Sequence, residues 1–271
     1  MTSMQKLSDT EQAAATQWDN NAEAWDRSLA EQLDVINEGF GIPMFLAFLG
    51  NLTGLRTLDT GCGEGRSARH LARRGAVVTG VDISPGMVNN ARRHESETPL
   101  GINYHEASCA DLHPFTDHSF DLVTSIMALM DTINLPGVLR EFSRVLRPGG
   151  EVAIMIRHPC FFTSGYSLLP NRTGLTVAGY FRGQPYLEQW RFPTTGSATI
   201  KPFTVTRHPH TLTDYLYGLI ENGFVLTAIS EPRPSEEVCQ NNPSLRFWQK
   251  HAALYLFLRC RKNFPPPELP V

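Results

Sequence analysis

The sequence predicts an α/β fold, a three-layer α/β/α sandwich around a mostly parallel sheet. Three observations predict it. Short apolar runs alternate with amphipathic stretches from Leu55 to Ile156, the signature of βαβ units covered on both faces. The first run, Arg56-Thr57-Leu58-Asp59, feeds a glycine-rich turn that opens a helix. The second run, residues 76–81, ends in the acid Asp82. At 271 residues the chain can bury one sizeable core plus an elaboration.

The first 50 residues read as helix. Ser8 and Glu11 have capping-box spacing. Trp18, Ala22, Trp25, Leu29, Leu33 and Ile36 recur at three or four, which predicts one helical stripe. A second short helix is expected from Pro43 to Gly50. After the first strand, residues 65–74 read as a helix with Ala68, Leu71 and Ala72 inward. Ser84 and Pro85 should cap a helix reaching about His94. Strands are expected at 102–106 and 120–125, then a helix carrying Val138, Leu139, Phe142, Val145 and Leu146. It stops at Pro148-Gly149-Gly150, before a buried strand at Val152–Ile156. Residues 158–210 break the alternation. They hold nine aromatics in 53 positions, so they read as an ordered insertion rather than a disordered one. A helix near 212–222 and strands near 224–230 and 252–259 resume the pattern. The expected organisation is lid helices at 1–50, a core at 51–157 and a cap insertion at 158–210. Residues 211–262 return to the same α/β domain, and 263–271 form a flexible tail.

The turn Leu58-Asp59-Thr60-Gly61-Cys62-Gly63-Glu64-Gly65 carries most of the functional information. Glycines let a backbone turn sharply and approach a ligand, and a helix N-terminus attracts negative charge. The spacing is G-x-G-x-G, with Arg66 where a dinucleotide fingerprint needs glycine. Asp59-Thr60-Gly61-Cys62-Gly63-Glu64-Gly65 resembles the first motif of class I S-adenosylmethionine-dependent methyltransferases of the small-molecule type. Gly80-Val81-Asp82-Ile83-Ser84 resembles the acidic end of their second strand, and Ala110-Asp111-Leu112 their adenine-side motif. Phe120-Asp121-Leu122-Val123 resembles their fourth strand, and Arg147-Pro148-Gly149-Gly150 the approach to their fifth. The likeness covers roughly residues 50–160 closely. It implies an antiparallel last strand, S-adenosylmethionine as cofactor and S-adenosylhomocysteine as product.

A carboxylate at Asp82 can accept from both ribose hydroxyls. The resemblance gives Asp111 the adenine amine, lets Ile83 and Met87 flank the ring, and gives the methionine end to Asp59 and the Gly61–Gly63 backbone. The full candidate cofactor set is Asp59, Gly61, Cys62, Gly63, Gly65, Asp82, Ile83, Met87, Ala110, Asp111, Leu112, Ser125 and Ile126. Trp18, Trp25, Met127, Tyr166, Tyr180 and Trp190 are the candidate acceptor-binding residues. Transfer from a sulfonium needs mainly an aligned nucleophile in a dry site. A general base helps a hydroxyl or carbon nucleophile. His158, His208 and His210 are the candidates, with Asp131 a further one. The alternatives are a cyclase or rearrangement enzyme on the same fold, or a non-catalytic module that senses S-adenosylmethionine.

The net charge of −3 and pI near 6.3 give no footprint for nucleic acid. No apolar run is long enough to span a membrane, and no signal core stands at the N-terminus. The five scattered cysteines suggest neither disulfides nor a metal site, so a cytoplasmic protein is expected. In the insertion, Arg172, Arg182, Arg191, Lys201 and Arg207 face a single acid, Glu188. That bias suggests an acceptor that is aromatic or carries an anionic group.

Overall fold

The computed structural model describes residues 9–190 and 202–263. Ser8 of the expected capping box, Arg191, Phe192 and Lys201 of the insertion, and the expected tail from 264 onward lie outside the described residues. In chain order the elements are α1 (Asp9–Ala30), a π-helical turn (Asn37–Gly41), α2 (Ile42–Leu49), β1 (Arg56–Thr60), α3 (Arg66–Arg73), β2 (Val77–Asp82), α4 (Pro85–Glu97), β3 (Asn103–Glu106), β4 (Phe120–Ile126), α5 (Leu135–Val145) and β5 (Leu146–Arg157). Then follow β6 (Ser167–Leu168), β7 (Leu175–Thr176), β8 (Tyr186–Trp190), β9 (Phe203–Arg207), α6 (Leu212–Glu221), β10 (Phe224–Ser230), α7 (Glu236–Asn241), α8 (Arg246–Lys250) and β11 (Tyr255–Lys262).

Seven strands form one sheet in the order β10-β11-β5-β4-β1-β2-β3. β3, β2, β1, β4 and β5 run parallel, and β11 lies antiparallel between β5 and β10. The last strand is therefore antiparallel as expected, but internal to the sheet. The strand order reverses beside β1, and ligands of such sheets bind at that switch point, outside the carboxyl ends of the strands.

Local sequence explains the helix ends. Ser84 accepts from the Met87 amide to cap α4, and Pro85 supplies its first residue. Asn134 caps α5 through the Gly137 amide. The expected stripe from Trp18 to Ile36 is broken. Gln32 takes a left-handed conformation (φ 56°), and the Leu33 and Gln32 amides close back on Ser28 and Leu29. That is a Schellman ending on a non-glycine residue, which leaves Leu33 and Ile36 outside α1. The helices at 236–250 have too few residues to show a period, and the sequence reading assigned nothing there. β11 begins three residues later than expected, directly after that helical segment.

The two faces of the sheet bury separate cores. One joins Phe40, Phe45, Leu71, Met155 and Phe257; the other joins Leu139, Phe142, Tyr215, Phe224 and Leu258. Phe257 is buried, with its ring 5.1 Å from Phe45 and 5.7 Å from Phe48, and so clamps α2 onto the sheet. Truncating such a ring removes its burial and leaves a cavity. Phe257→Ala is expected to cost about 3–5 kcal/mol in urea unfolding; a loss below about 1 kcal/mol would mean that α2 is not anchored this way.

Candidate functional site

The glycine turn is held from below by Asp59. This acid is fully buried, and its two oxygens accept from the hydroxyls of Ser67 on α3 and Thr124 on β4. Burial pushes its carboxyl up to about 6, against the pull of those two donors. Above Asp59 the chain uses left-handed φ at Gly61, Gly63 and Gly65. A Cβ on Gly61 would stand 2.4 Å from the Ala128 Cβ. The turn therefore lies against the loop after β4, at the switch point.

Asp82 ends β2 beside this turn. Its Oδ2 accepts from the Gly63 amide at 2.8 Å and its Oδ1 from the Ser84 amide at 3.0 Å. Burial raises this carboxyl too, to about 6, despite both amides. Asp82 opens on a cavity that runs from the glycine turn to a tryptophan-walled end.

α1 covers that cavity and is tied down along its length. Glu11 accepts from the Ser108 hydroxyl at 2.8 Å, and Asp19 from the Gly86 amide at 2.6 Å. Trp25 Nε1 donates to Glu64 of the glycine turn at 2.8 Å, and Gln17 accepts from the Thr206 amide of β9. Trp18, Trp25, Trp190 and Phe203 form one aromatic cluster, with Trp190 stacked on Phe203 at 6.1 Å.

Of the expected cofactor residues, Gly61, Cys62, Gly63, Asp82, Ile83, Met87, Ala110 and Ile126 line this cavity. Asp59, Gly65, Asp111, Leu112 and Ser125 do not. Asp59 is sealed by its hydroxyl partners, and Leu112 is fully buried in the core. Ser125 donates to the Thr60 carbonyl, Gly65 precedes α3, and Asp111 closes its own turn by accepting from the His113 amide. Trp18, Trp25, Met127 and Trp190 of the acceptor set line the cavity as well. Tyr166 instead stacks near Phe162 and Trp248, and the Tyr180 hydroxyl accepts from the Leu212 amide.

None of the three histidines lines the large cavity. His158 is buried; its Nε2 pairs with Glu231 at 2.7 Å, and its Nδ1 accepts from the Cys160 amide. His208 and His210 border a smaller pocket, where His210 Nε2 meets the Thr132 carbonyl at 2.8 Å. Burial lowers all three imidazoles and keeps them neutral. Asp131, by contrast, lines the large cavity, and Arg207 pairs with it.

The sequence did not mark Glu11, Glu64, Arg66, Ser108 or Met130 as binding residues, and all of them line the cavity. Glu64 had a signal, since it lies inside the glycine turn. Glu11 and Ser108 are 97 positions apart and gave none. Among the described residues, the basic side chains of the insertion do not open onto the cavity as free charge. Arg172 and Arg182 are exposed, and Arg207 is held by Asp131 and Glu188. Among the described residues no group of three His, Cys, Asp or Glu could hold a metal ion.

A parallel sheet with an internal antiparallel strand, a glycine turn over a buried acid and a strand-end carboxylate define a class I S-adenosylmethionine-dependent methyltransferase domain. The comparisons agree. Residues 58–154 match the family model described as a methyltransferase domain. A ubiquinone biosynthesis O-methyltransferase of Xanthomonas oryzae is 37% identical over 129 residues, 48% of this chain and 50% of that protein. A demethylmenaquinone methyltransferase of Tropheryma whipplei is 39% identical over 123 residues, 44% of this chain and 48% of that protein. The chain thus spans about half the length of the curated relatives it matches. The crystal structure of an S-adenosylmethionine-dependent methyltransferase from Mesorhizobium loti superposes with a TM-score of 0.66. It is 26% identical and covers 81% of this chain and 96% of that one. S-adenosylmethionine is the cofactor of this family. The cavity suits its positive sulfonium, since four carboxylates but only two guanidiniums line it.

The two raised acids make a stability prediction. A buried acid with a raised pKa binds its proton earlier in the folded state. Its contribution to stability is full below the unfolded value of 3.8 and is lost as pH rises through about 6. The buried histidines act in the opposite sense over the same range, so the comparison must be a difference. The stability of wild type relative to Asp59→Asn is expected to increase as pH falls from 7.5 to 4.5, by urea unfolding at each pH. A flat difference would mean that Asp59 titrates normally.

Proposed function

We propose that this chain transfers a methyl group from S-adenosylmethionine to a small-molecule acceptor and releases S-adenosylhomocysteine. The observation that carries the reading is one continuous cavity joining Asp82 and the Gly61–Gly63 turn to the walls of Trp18, Trp25 and Trp190. S-adenosylmethionine supplies a methyl group already activated on sulfur. The chain then needs to bind, align and keep out water. Asp82 accepts from the ribose hydroxyls, Ile83 and Met87 flank the adenine, and the backbone around Gly61 and Gly63 meets the methionine end. The tryptophans, Met127 and Met130 hold a flat, apolar acceptor. Buried surroundings push the Cys62 thiol well up, so it stays protonated and does not compete as a nucleophile.

α1 acts as a lid over both ends of the cavity, and residues 158–210 act as the cap. The relatives' names fit a ring-bearing acceptor, although their matches span less than half of this chain. No described helix is long and apolar enough to cross a membrane. The five thiols are free, which fits the cytoplasmic residence we propose with this reading.

The direct test is mass spectrometry of candidate acceptors incubated with the protein and a methyl-labelled donor. Appearance of S-adenosylhomocysteine with a labelled product supports transfer; acceptor rearrangement without donor consumption would replace it with a cyclase. Asp82→Ala should weaken S-adenosylhomocysteine binding about 10- to 150-fold by calorimetry, the worth of a charged hydrogen-bond partner. In wild type the affinity should fall as pH drops through about 6, because a protonated Asp82 accepts poorly. Trp25→Phe removes the bond to Glu64, and the dissociation rate of S-adenosylhomocysteine should rise about tenfold in stopped flow. An unchanged rate would mean that α1 does not gate the cofactor.

A further inference from the structure

Asp131 follows β4, two strands away from Asp82 in the sheet order, and borders the tryptophan-walled end of the cavity. It heads a chain of four charges. Arg207 pairs with Asp131 and with Glu188, and Arg157 pairs with Glu188. Two acids and two arginines cancel, so the chain as a whole is neutral. Burial favours the protonated form of Glu188, but Arg157 and Arg207 overcome it and hold the carboxyl at about 2. Arg207 is only 4% exposed, and its guanidinium also lies over the Trp190 ring at 5.8 Å.

The other carboxylates of the cavity are already engaged. Asp82 holds two amides, Glu64 holds Trp25 and the Arg66 amide, and Glu11 holds Ser108. Asp131 takes Arg207 on Oδ1, while Oδ2 has no hydrogen-bond partner among the described residues. A carboxylate oxygen that faces a mainly apolar cavity is ready to take a donor from a ligand. The charge balance selects which donor. An anionic acceptor would meet a carboxylate and an arginine already shared by two acids. A protonated amine would add an unpaired charge near the sulfonium and is not a nucleophile. A neutral hydroxyl satisfies Oδ2 and leaves the balance at zero.

We propose that Asp131 is the catalytic base of the reaction proposed above, and that the acceptor class is a neutral phenol seated among the tryptophans. As the oxygen–methyl bond forms, the phenolic proton passes to Asp131 Oδ2. The carbon–sulfur bond breaks, and its electron pair stays on sulfur, giving neutral S-adenosylhomocysteine and a methyl ether. Arg207, fixed by Glu188 and Arg157, is a positioning residue that aims the carboxylate. Burial also raises Asp131 despite Arg207, which suits it to receive a proton. Burial raises Tyr186 and Tyr215, with the charge of Asp131 adding to it, and both stay neutral.

The test uses 4-methylphenol and 4-nitrophenol as probes with the full-length protein, in wild type, Asp131→Asn and Asp131→Glu. Calorimetry with S-adenosylhomocysteine comes first, and all three should bind within about twofold. Absence of binding in wild type defeats the methyltransferase reading itself, not only this inference. Asp131→Asn should then lose about 10²- to 10⁴-fold in kcat on 4-methylphenol, the usual worth of a general base. It should lose less than about tenfold on 4-nitrophenol, whose acidity removes the need for a base. Asp131→Glu should recover part of the loss. A second reading needs no turnover: the absorbance of 4-nitrophenol bound beside S-adenosylhomocysteine. Replacing Asp131 by Asn should lower the apparent pKa of the bound phenol by about one unit or more, because phenolate then meets Arg207 without a neighbouring acid. Equal losses on both phenols, or an unshifted bound-phenol pKa, would overturn the role of Asp131. If Asp131→Asn fails to bind the product, the same two readings on Asp131→Glu decide, since a displaced carboxylate must alter both. Wild type that binds product but methylates amines and no phenol would overturn the acceptor class while leaving methyl transfer in place.

Discussion

Asp59 is a carboxylate with no exposed surface, and three elements meet on it. The strand that carries it, the helix that offers Ser67 and the strand that offers Thr124 are each fixed relative to the other two. A buried acid is expensive to leave unsatisfied, so these hydroxyls are held to the positions that satisfy it. The consequence for the turn above is geometric. With both ends of the Gly61–Gly65 segment pinned, its path is set, and Gly61 comes against Ala128 where a side chain would not fit. The amide of Gly63 then reaches Asp82. One buried acid thus places a second in the wall of the cavity.

The cap is attached by a different kind of force. The contacts of β8 and β9 with the core include the aromatic cluster and the charges of Arg157, Glu188, Arg207 and Asp131. Buried ion pairs often add little net stability, because desolvation offsets much of their attraction. What they add is register: a slipped hairpin would bury an unpaired charge. The β8–β9 pair therefore has one seating on the core, and the Trp190 wall it gives to the cavity is fixed by that seating.

The cofactor half of the site was legible in the sequence because its constraints are local. A left-handed backbone needs glycine, a strand end needs its acid, and both fall in fixed order within 25 residues. The sheet was legible for the same reason, as each strand is a buried apolar run. The acceptor half was not. Asp131 and Arg207 meet across 76 positions, and no periodic signal announces such a pair. The histidines drew notice as titratable groups, yet the fold engages His158 with Glu231 and His210 with the Thr132 carbonyl, away from the large cavity. The break of α1 at Gln32 was hidden because a Schellman ending normally announces itself with glycine. Among the described residues of the insertion, Arg207 is held by Asp131 and Glu188, pairings that no local signal in the sequence announces.

The clamp between Phe45 and Phe257 joins parts of the chain more than two hundred positions apart, and the Tyr255 hydroxyl donates to Asn37 across 218 positions. On the ribosome these partners do not emerge together. Phe40, Phe45 and Leu49 reach solvent while the strand that will cover them is still unmade, and β10 has no neighbour until β11 arrives. Non-local pairings of this kind are slow and leave apolar surface open during synthesis. Shielding of the nascent chain, for instance by a chaperone, therefore bears on how much of this protein a heterologous host can fold.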